Sequence, residues 1–276
     1  MNVVYLIVQQ TMFFSIPLLI VALGGMFTER GGVTNIALDG TMIMGAFTSI
    51  LFINSMQDSM SGTGLLLIAC AIAALTGGVF SLLLAYSAIN MKADQIIGGT
   101  ALNMFAPAFC VFAARTVQDL GVQQIQFNNT FRVMKVPVLG DIPVIGKLFF
   151  QNTYITTLIG IIILIIAVVV IYKTRFGLRL RACGEHPQAA DSVGINVYKM
   201  RYAGVFISGV LGGLGGLVFI IPTSTNFDSN VAGYGFLALA VMIFGQWKPV
   251  RIAVAAAFFG FMTVSYTHLT LPTTPY

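Results

Sequence analysis

Residues 154–172 read Y-I-T-T-L-I-G-I-I-I-L-I-I-A-V-V-V-I-Y, without one charged side chain. At about 1.5 Å of rise per helical residue this run covers roughly 28 Å, close to the ~30 Å hydrocarbon core of a bilayer. The apolar residues do not alternate with polar ones, so a membrane strand is excluded and a buried helix remains. Working outward, comparable runs occupy 3–26, 33–53, 65–86, 96–114 and 202–221, and shorter ones 234–245 and 250–263. The pattern predicts an all-α fold: a polytopic integral membrane helical bundle of about eight spans or more. Composition agrees, because 57% of the 276 residues are hydrophobic and only 8% are charged. A soluble domain carries about 25% charged residues, so a soluble enzyme, a disordered chain and a collagen-like fibre are excluded. The first run has neither a basic start nor a small-residue cleavage site, so it reads as a span and not a signal peptide.

The segment 173–201 holds Lys173, Arg175, Arg179, Arg181, Lys199 and Arg201, six of the chain's fourteen basic residues. The positive-inside rule places it in the cytoplasm. Threading from there puts loops 27–32, 87–95 and 246–251 inside as well, with Arg30, Lys92, Lys248 and Arg251. The remaining basic residues, Arg115, Arg132, Lys135 and Lys147, all fall in one long outer loop, 115–153, which also carries a repeated turn, V-P-V-L-G at 136–140 and I-P-V-I-G at 142–146. The protein is therefore expected in the cell membrane, multi-pass and surrounded by lipid. Run 234–245 covers only about 18 Å and reads as a span, a half-helix or a re-entrant segment.

The last apolar run breaks at Val264 into V-S-Y-T-H-L-T-L-P-T-T-P-Y. A span cannot stop within lipid with its carbonyls unpaired. This tail resembles a translated sequencing adapter. We read 1–263 as one transmembrane domain and 264–276 as a non-native tail replacing the natural carboxyl end.

Covalent chemistry has no support in the sequence. The only Gly-Lys pair, Gly146-Lys147, is followed by Leu148 and makes no phosphate loop, and no H-E-x-x-H occurs. Cys70, Cys110 and Cys183 show no metal or disulfide spacing, so no cofactor or metal is expected. The basic residues follow membrane topology, and no nucleic-acid partner is implied.

Three places draw attention. Asp39 lies in the second run, about 9 Å of helix past Val33, with Asn35 one turn earlier on the same face. A carboxylate there costs roughly 2.5–3.5 kcal/mol on insertion scales and needs a partner or a wet path; Arg30 is the nearest basic residue. A pathway element and a structural knot of hydrogen bonds both fit, and the glycines at 31, 32, 40 and 45 could let the segment unwind. In the fourth run Thr100 and Asn103 share a face and Phe105 follows, a set suited to an uncharged ligand with an aromatic ring or to polar contacts between helices. Within 173–201, Pro187 suits a first helical turn and Gly194 a left-handed end, giving a short helix over 187–193 whose Ala189 and Ala190 leave room for a partner. Gly204, Ser208, Gly212 and Gly216, four apart, form a small-residue packing stripe.

The segment from Gly184 to Ile195, with Gly184, His186, Ala189, Ala190 and Gly194 in register, resembles the coupling loop of ABC importer permeases of the branched-chain amino acid, ribose and nucleoside type. Phe27 to Phe47 is similar to their early motif, with Ala37 and Asp39 where Gly and Glu are usual. Residues 94–104, D-Q-I-I-G-G-T-A-L-N-M, and the stretch from Gly233 resemble the nucleoside branch. The resemblance implies a permease subunit, not an enzyme, importing nucleosides; a simple sugar is the alternative substrate. It implies a second permease subunit, cytoplasmic ABC ATPase subunits and an extracytoplasmic substrate-binding lipoprotein. It assigns ATPase coupling to Gly184, Glu185, His186, Pro187, Ala189, Ala190 and Gly194. Asn35, Asp39, Thr100, Asn103 and Phe105 are the substrate-pathway candidates. A proton-coupled secondary transporter using Asp39 is the rival reading.

Overall fold

The computed structural model describes residues 2–60, 62–117, 124–128, 131–135 and 151–269. Among them ten α-helices follow in order: α1 Asn2–Arg30, α2 Leu38–Met56, α3 Thr63–Ala85, α4 Gln95–Val117, α5 Ile155–Lys173, α6 Arg175–Glu185, α7 Pro187–Ser192, α8 Val197–Thr223, α9 Tyr234–Phe244 and α10 Pro249–Leu269. A π-helical turn, Tyr86–Asn90, extends α3. Short strands β1 Ile125–Gln126 and β4 Asn226–Phe227 pair antiparallel, as do β2 Arg132–Lys135 and β3 Gln151–Tyr154. The repeated turn at 136–146 lies outside the described residues.

The bundle is organised around α8, which packs on α1, α2 and α3. Its residue choice explains why. A Cβ on Gly216 would lie 2.0 Å from the Met42 carbonyl oxygen, and one on Gly213 would lie 2.2 Å from that of Ala73. The small residues of α8 thus let it touch backbone on two sides, α2 on one and α3 on the other. Without a hydrophobic drive between helices in lipid, such close packing supplies the attraction. Helices α4, α5 and α10 show the opposite character. They leave Ile97, Met104, Phe112, Ile165 and Val254 exposed, as apolar surface facing lipid or another apolar subunit would be.

Six helices among the described residues are long and apolar enough to cross a membrane, against the eight or so expected. The two shortfalls have separate causes. The first turn of α2 carries Asp39, Gly40 and Thr41, which lowers its apolar content. Helix α9 has 11 residues, about 16 Å of rise, roughly half a bilayer core. Helix α10 continues through Val264, which is buried, to Leu269. No proline interrupts the chain until Pro272.

Hydrogen bonds sort the loops into two ends. At one end Arg30 Nη2 donates to the Trp247 carbonyl (3.1 Å), Arg201 Nε to that of Gly31 (3.3 Å), and the Tyr202 hydroxyl bonds Asn90 Oδ1 (2.5 Å). At the other, Asn54 Nδ2 donates to the Gln126 carbonyl (2.7 Å), and β1 pairs with β4. These are the same two sets of loops that the charge pattern separates.

Candidate translocation site and coupling arm

The second apolar run is not helical throughout. Residues 33–36 have no regular structure, and α2 begins only at Leu38. Asn35 is therefore not one helical turn before Asp39. The chain turns at Gly32, whose φ of +78° a side chain would disfavour, and Thr34 and Asn35 favour bonds to outside partners over helix. The backbone N–H of Thr34 bonds Gln95 Oε1 (2.7 Å), and Asn35 Nδ2 donates to Ser208 Oγ (2.9 Å). Asn35 is 1% exposed and its Oδ1 has no hydrogen-bond partner.

The start of α2 lies deep in the bundle, since Thr41 abuts Gly212 and Met42 abuts Gly216, both past the middle of α8. A helix start in such a place leaves backbone N–H groups without water. The N-cap residue is Ala37, which has no capping side chain. Asn103 of α4 fills the role from across the interface: its Oδ1 accepts from Gly40 N (2.7 Å) and its Nδ2 donates to the Ile36 carbonyl (2.8 Å).

Helix α9 begins beside the same point, and its N-cap, Gly233, is also without a side chain. Here the N–H of Gly235 donates to Asp39 Oδ1 (2.9 Å). A Cβ on Gly235 would sit 2.3 Å from the Asp39 Cα, so only glycine permits the approach. Asp39 thus lies in the first turn of α2 and bonds the first turn of α9, where the positive ends of both macrodipoles favour a carboxylate. This accounts for a buried carboxylate for which no salt bridge is found among the described residues. Arg30, the basic residue nearest in sequence, is bonded instead to the Trp247 carbonyl.

The site candidates divide accordingly. Asn35, Asp39 and Asn103 are gathered at the discontinuity. Thr100 is exposed and donates to the Ile96 carbonyl one turn back (2.8 Å). Phe105 is 49% exposed and stacks on Phe80 and Phe109, with centroids 6.4 and 5.6 Å away. Gly235 and Gln95 are additions. The stretch from Gly233 carries two glycines two apart, a signal for close backbone approach.

The segment 173–201 is more structured than a loop with one short helix. Helix α6 precedes α7, capped by Thr174, whose Oγ1 accepts from Gly177 N (3.2 Å), and buries Gly177, Leu180 and Cys183. Pro187 opens α7 as anticipated, and Gly194, at φ +81°, closes it: Gly194 N bonds the Asp191 carbonyl and Ile195 N that of Ala190. The two alanines do not share a free face. Ala189 is exposed with Glu185 and His186, whereas Ala190 is buried. Gly184 presses against α1, since a Cβ there would lie 2.3 Å from the Arg30 carbonyl oxygen. With the Arg201 bond to Gly31, this fastens the arm to the residues that lead into the broken segment.

A bundle in which helices begin in the interior around polar side chains is an architecture that membrane transport proteins use for solute paths. The sequence matches the family described as branched-chain amino acid transport system / permease component over residues 7–274. It is 44% identical over 263 residues to the nucleoside ABC transporter permease protein NupC of Lactococcus lactis, covering 95% of this chain and 82% of that one. It is 44% identical over 261 residues to the guanosine ABC transporter permease protein NupQ of Bacillus subtilis, covering 94% and 81%. The nucleoside ABC transporter permease protein NupB of L. lactis is 26% identical over 258 residues, covering 88% and 67%. The chain belongs to this permease family. It is a multi-pass membrane permease of an ABC transporter, a transport subunit and not an enzyme, which displaces the proton-coupled reading of Asp39.

Proposed function

We propose that this permease imports nucleosides, driven by ATP hydrolysed on separate cytoplasmic ATPase subunits. The observation that carries the substrate class is the 44% identity, over more than nine-tenths of this chain, to two permeases named for nucleosides and guanosine. The partners we propose are a second permease subunit, a pair of ABC ATPases and an extracytoplasmic substrate-binding lipoprotein. Two unequal nucleoside permease relatives in one organism, NupC and NupB, support pairing with a different permease chain. The end bearing α6 and α7 faces the cytoplasm, by its ten basic residues against four elsewhere.

The mechanism follows the fastenings. An ATPase seated on the exposed α6–α7 corner, at Glu185, His186 and Ala189, moves the arm. Gly184 and Arg201 pass the movement to Arg30 and Gly31 at the end of α1. The unwound residues 33–36 absorb it, as a segment without ladder hydrogen bonds can. The starts of α2 and α9 shift together because Asp39 joins them, and Asn103 holds α2 to α4. Asn35, Asp39 and Asn103, gathered at the discontinuity, are the polar groups we place beside the path of an uncharged solute, with Asn35 Oδ1 unpartnered; Thr100 and Phe105 are exposed on α4, where a second permease would complete the path. The test is uptake into proteoliposomes holding the assembled transporter. Labelled guanosine should accumulate with ATP and receptor present and be indifferent to an uncoupler at constant ATP. Collapse of uptake with the proton gradient alone would reject the proposal.

A further inference from the structure

At the end of the bundle opposite the arm lies a cavity of about 300 Å³, lined among others by Phe219, Thr223, Asn226, Asp228 and Asn230. Its frame is fixed. The strand β4 is paired with β1, and the segment leading to α9 takes left-handed backbone at Ser229 (φ 62°) and Ala232 (φ 52°). Ala232 N bonds Asn230 Oδ1 (2.9 Å), and Tyr234 N bonds the Val231 carbonyl (3.0 Å). The floor is apolar, with Phe219 and Ile220 buried. The rim is polar and unspent: among the described residues, neither the Asp228 carboxylate nor the Asn226 side-chain amide makes a hydrogen bond to protein, and both residues are exposed. Phe219 also packs against Tyr234, with centroids 4.0 Å apart and the rings tilted by 32°, and Gly235, the next residue, is bonded to Asp39. The Phe219–Tyr234 pair therefore connects the lining of the cavity with the α2–α9 junction.

We infer that this cavity is an entry site for the ribose ring of the substrate, with Asp228 accepting hydrogen bonds from its vicinal hydroxyls and Asn226 beside it. This rests on the nucleoside reading above. A carboxylate accepting from ribose hydroxyls is a recurrent solution for that group, because an ionised acceptor makes the stronger bond and two oxygens match two adjacent O–H donors. The volume sits at the lower end of that of small-ligand sites, roughly 300–1,000 Å³, which suits one sugar ring over an apolar floor better than a whole nucleoside. Free ribose carries the same diol, so the two sources are separated experimentally.

The test uses the assembled transporter in nanodiscs without its receptor, with Thr223→Cys as reporter. The native Cys70, Cys110 and Cys183 are buried and remain in place. Its reaction with a hydrophilic maleimide is timed with uridine, 2′,3′-dideoxyuridine or ribose at millimolar concentration. Uridine should slow labelling and the dideoxy compound should not. Asp228→Ala should weaken uridine protection about tenfold or more, the loss expected for a hydrogen bond to a charged group, with Asp228→Asn in between. Equal protection by uridine and its dideoxy analogue, or none in a transporter that imports uridine, would overturn the inference. Protection by ribose in a transporter that imports no nucleoside would uphold the diol site and reject the nucleoside reading. Unchanged protection in Asp228→Ala, with receptor-stimulated ATP hydrolysis lost, would make Asp228 a receptor contact and overturn the inference.

Discussion

The helix starts at the two depths of this molecule are built differently. In the arm, α6 and α8 are capped by their own preceding residues: Thr174 accepts from Gly177 N, and Asn196 accepts from Lys199 N. In the interior, α2 and α9 are preceded by Ala37 and Gly233, which cap nothing, and their N–H groups are served by Asn103 and Asp39 from other helices. A self-capped helix can move as a unit, carrying its satisfied end with it. A helix capped by its neighbour cannot leave without exposing a backbone donor where no water replaces the bond. The arm's helix starts are satisfied locally, so it can shift together with the end of α1 to which Gly184 and Arg201 fasten it, whereas the starts of α2 and α9 are tied to each other.

The contrast can be broken most severely at Gly235. A side chain there meets the Asp39 backbone, not a flexible tip, so Gly235→Val must push α9 off α2. Overpacking of this kind costs about 1–3 kcal/mol and occasionally more. We expect a marked fall in the thermal midpoint and loss of uptake, followed by differential scanning fluorimetry and transport at matched membrane levels. Next is Asn103→Leu, which removes a donor and an acceptor from the start of α2, at about 1–3 kcal/mol for a buried group left unpaired. Asn103→Asp keeps only the acceptor and should recover part of both stability and uptake. A smaller effect, ~1 kcal/mol, is expected of Thr174→Ala, because it removes a local cap that water can partly replace; its uptake should stay near wild type.

The least effect on stability belongs to Ala189→Arg, and it sharpens the contrast in the other direction. Ala189 is exposed, so the folded permease should keep its thermal midpoint while ATPase association and uptake are lost. Ala190→Arg is a poor substitute, since that alanine is buried and the change would unfold α7 as well. Normal uptake by Ala189→Arg would remove α7 from the coupling path.

The two ends of α7 were legible from the chain itself. Pro187 and Gly194 mark both ends of α7, and the basic residues of 173–201 separate the two ends of the bundle. Long apolar runs gave most of the helices within a few residues. What stayed hidden has one physical source: the groups that satisfy α2 and α9 are 63 and 196 residues away from the donors they serve. No spacing rule links Asn103 to Gly40 or Asp39 to Gly235. The run 33–53 looked continuous because Val33 and Ile36 are apolar, and only the glycines hinted that it opens. The facing of Ala190 was missed because six residues of helix are too few to show a periodic face. Helix α6 was missed because its charges outweighed the Gly177, Leu180 and Cys183 stripe.

Asp39 is where these strands meet, and Asp39→Asn is the most direct measurement. The amide oxygen can still accept from Gly235 N, so the variant should insert and fold, but the negative charge between two helix starts is gone. Each such charge contributes about 0.3–1 kcal/mol, and up to ~2 in buried geometry. ATP-driven guanosine uptake is compared in proteoliposomes at equal transporter content, with the rate of ATP hydrolysis recorded alongside. The account predicts near-normal hydrolysis with uptake down by about tenfold, the equivalent of some 1.4 kcal/mol. Uptake by Asp39→Asn at the wild-type rate would contradict it, and would leave the carboxylate a dispensable cap.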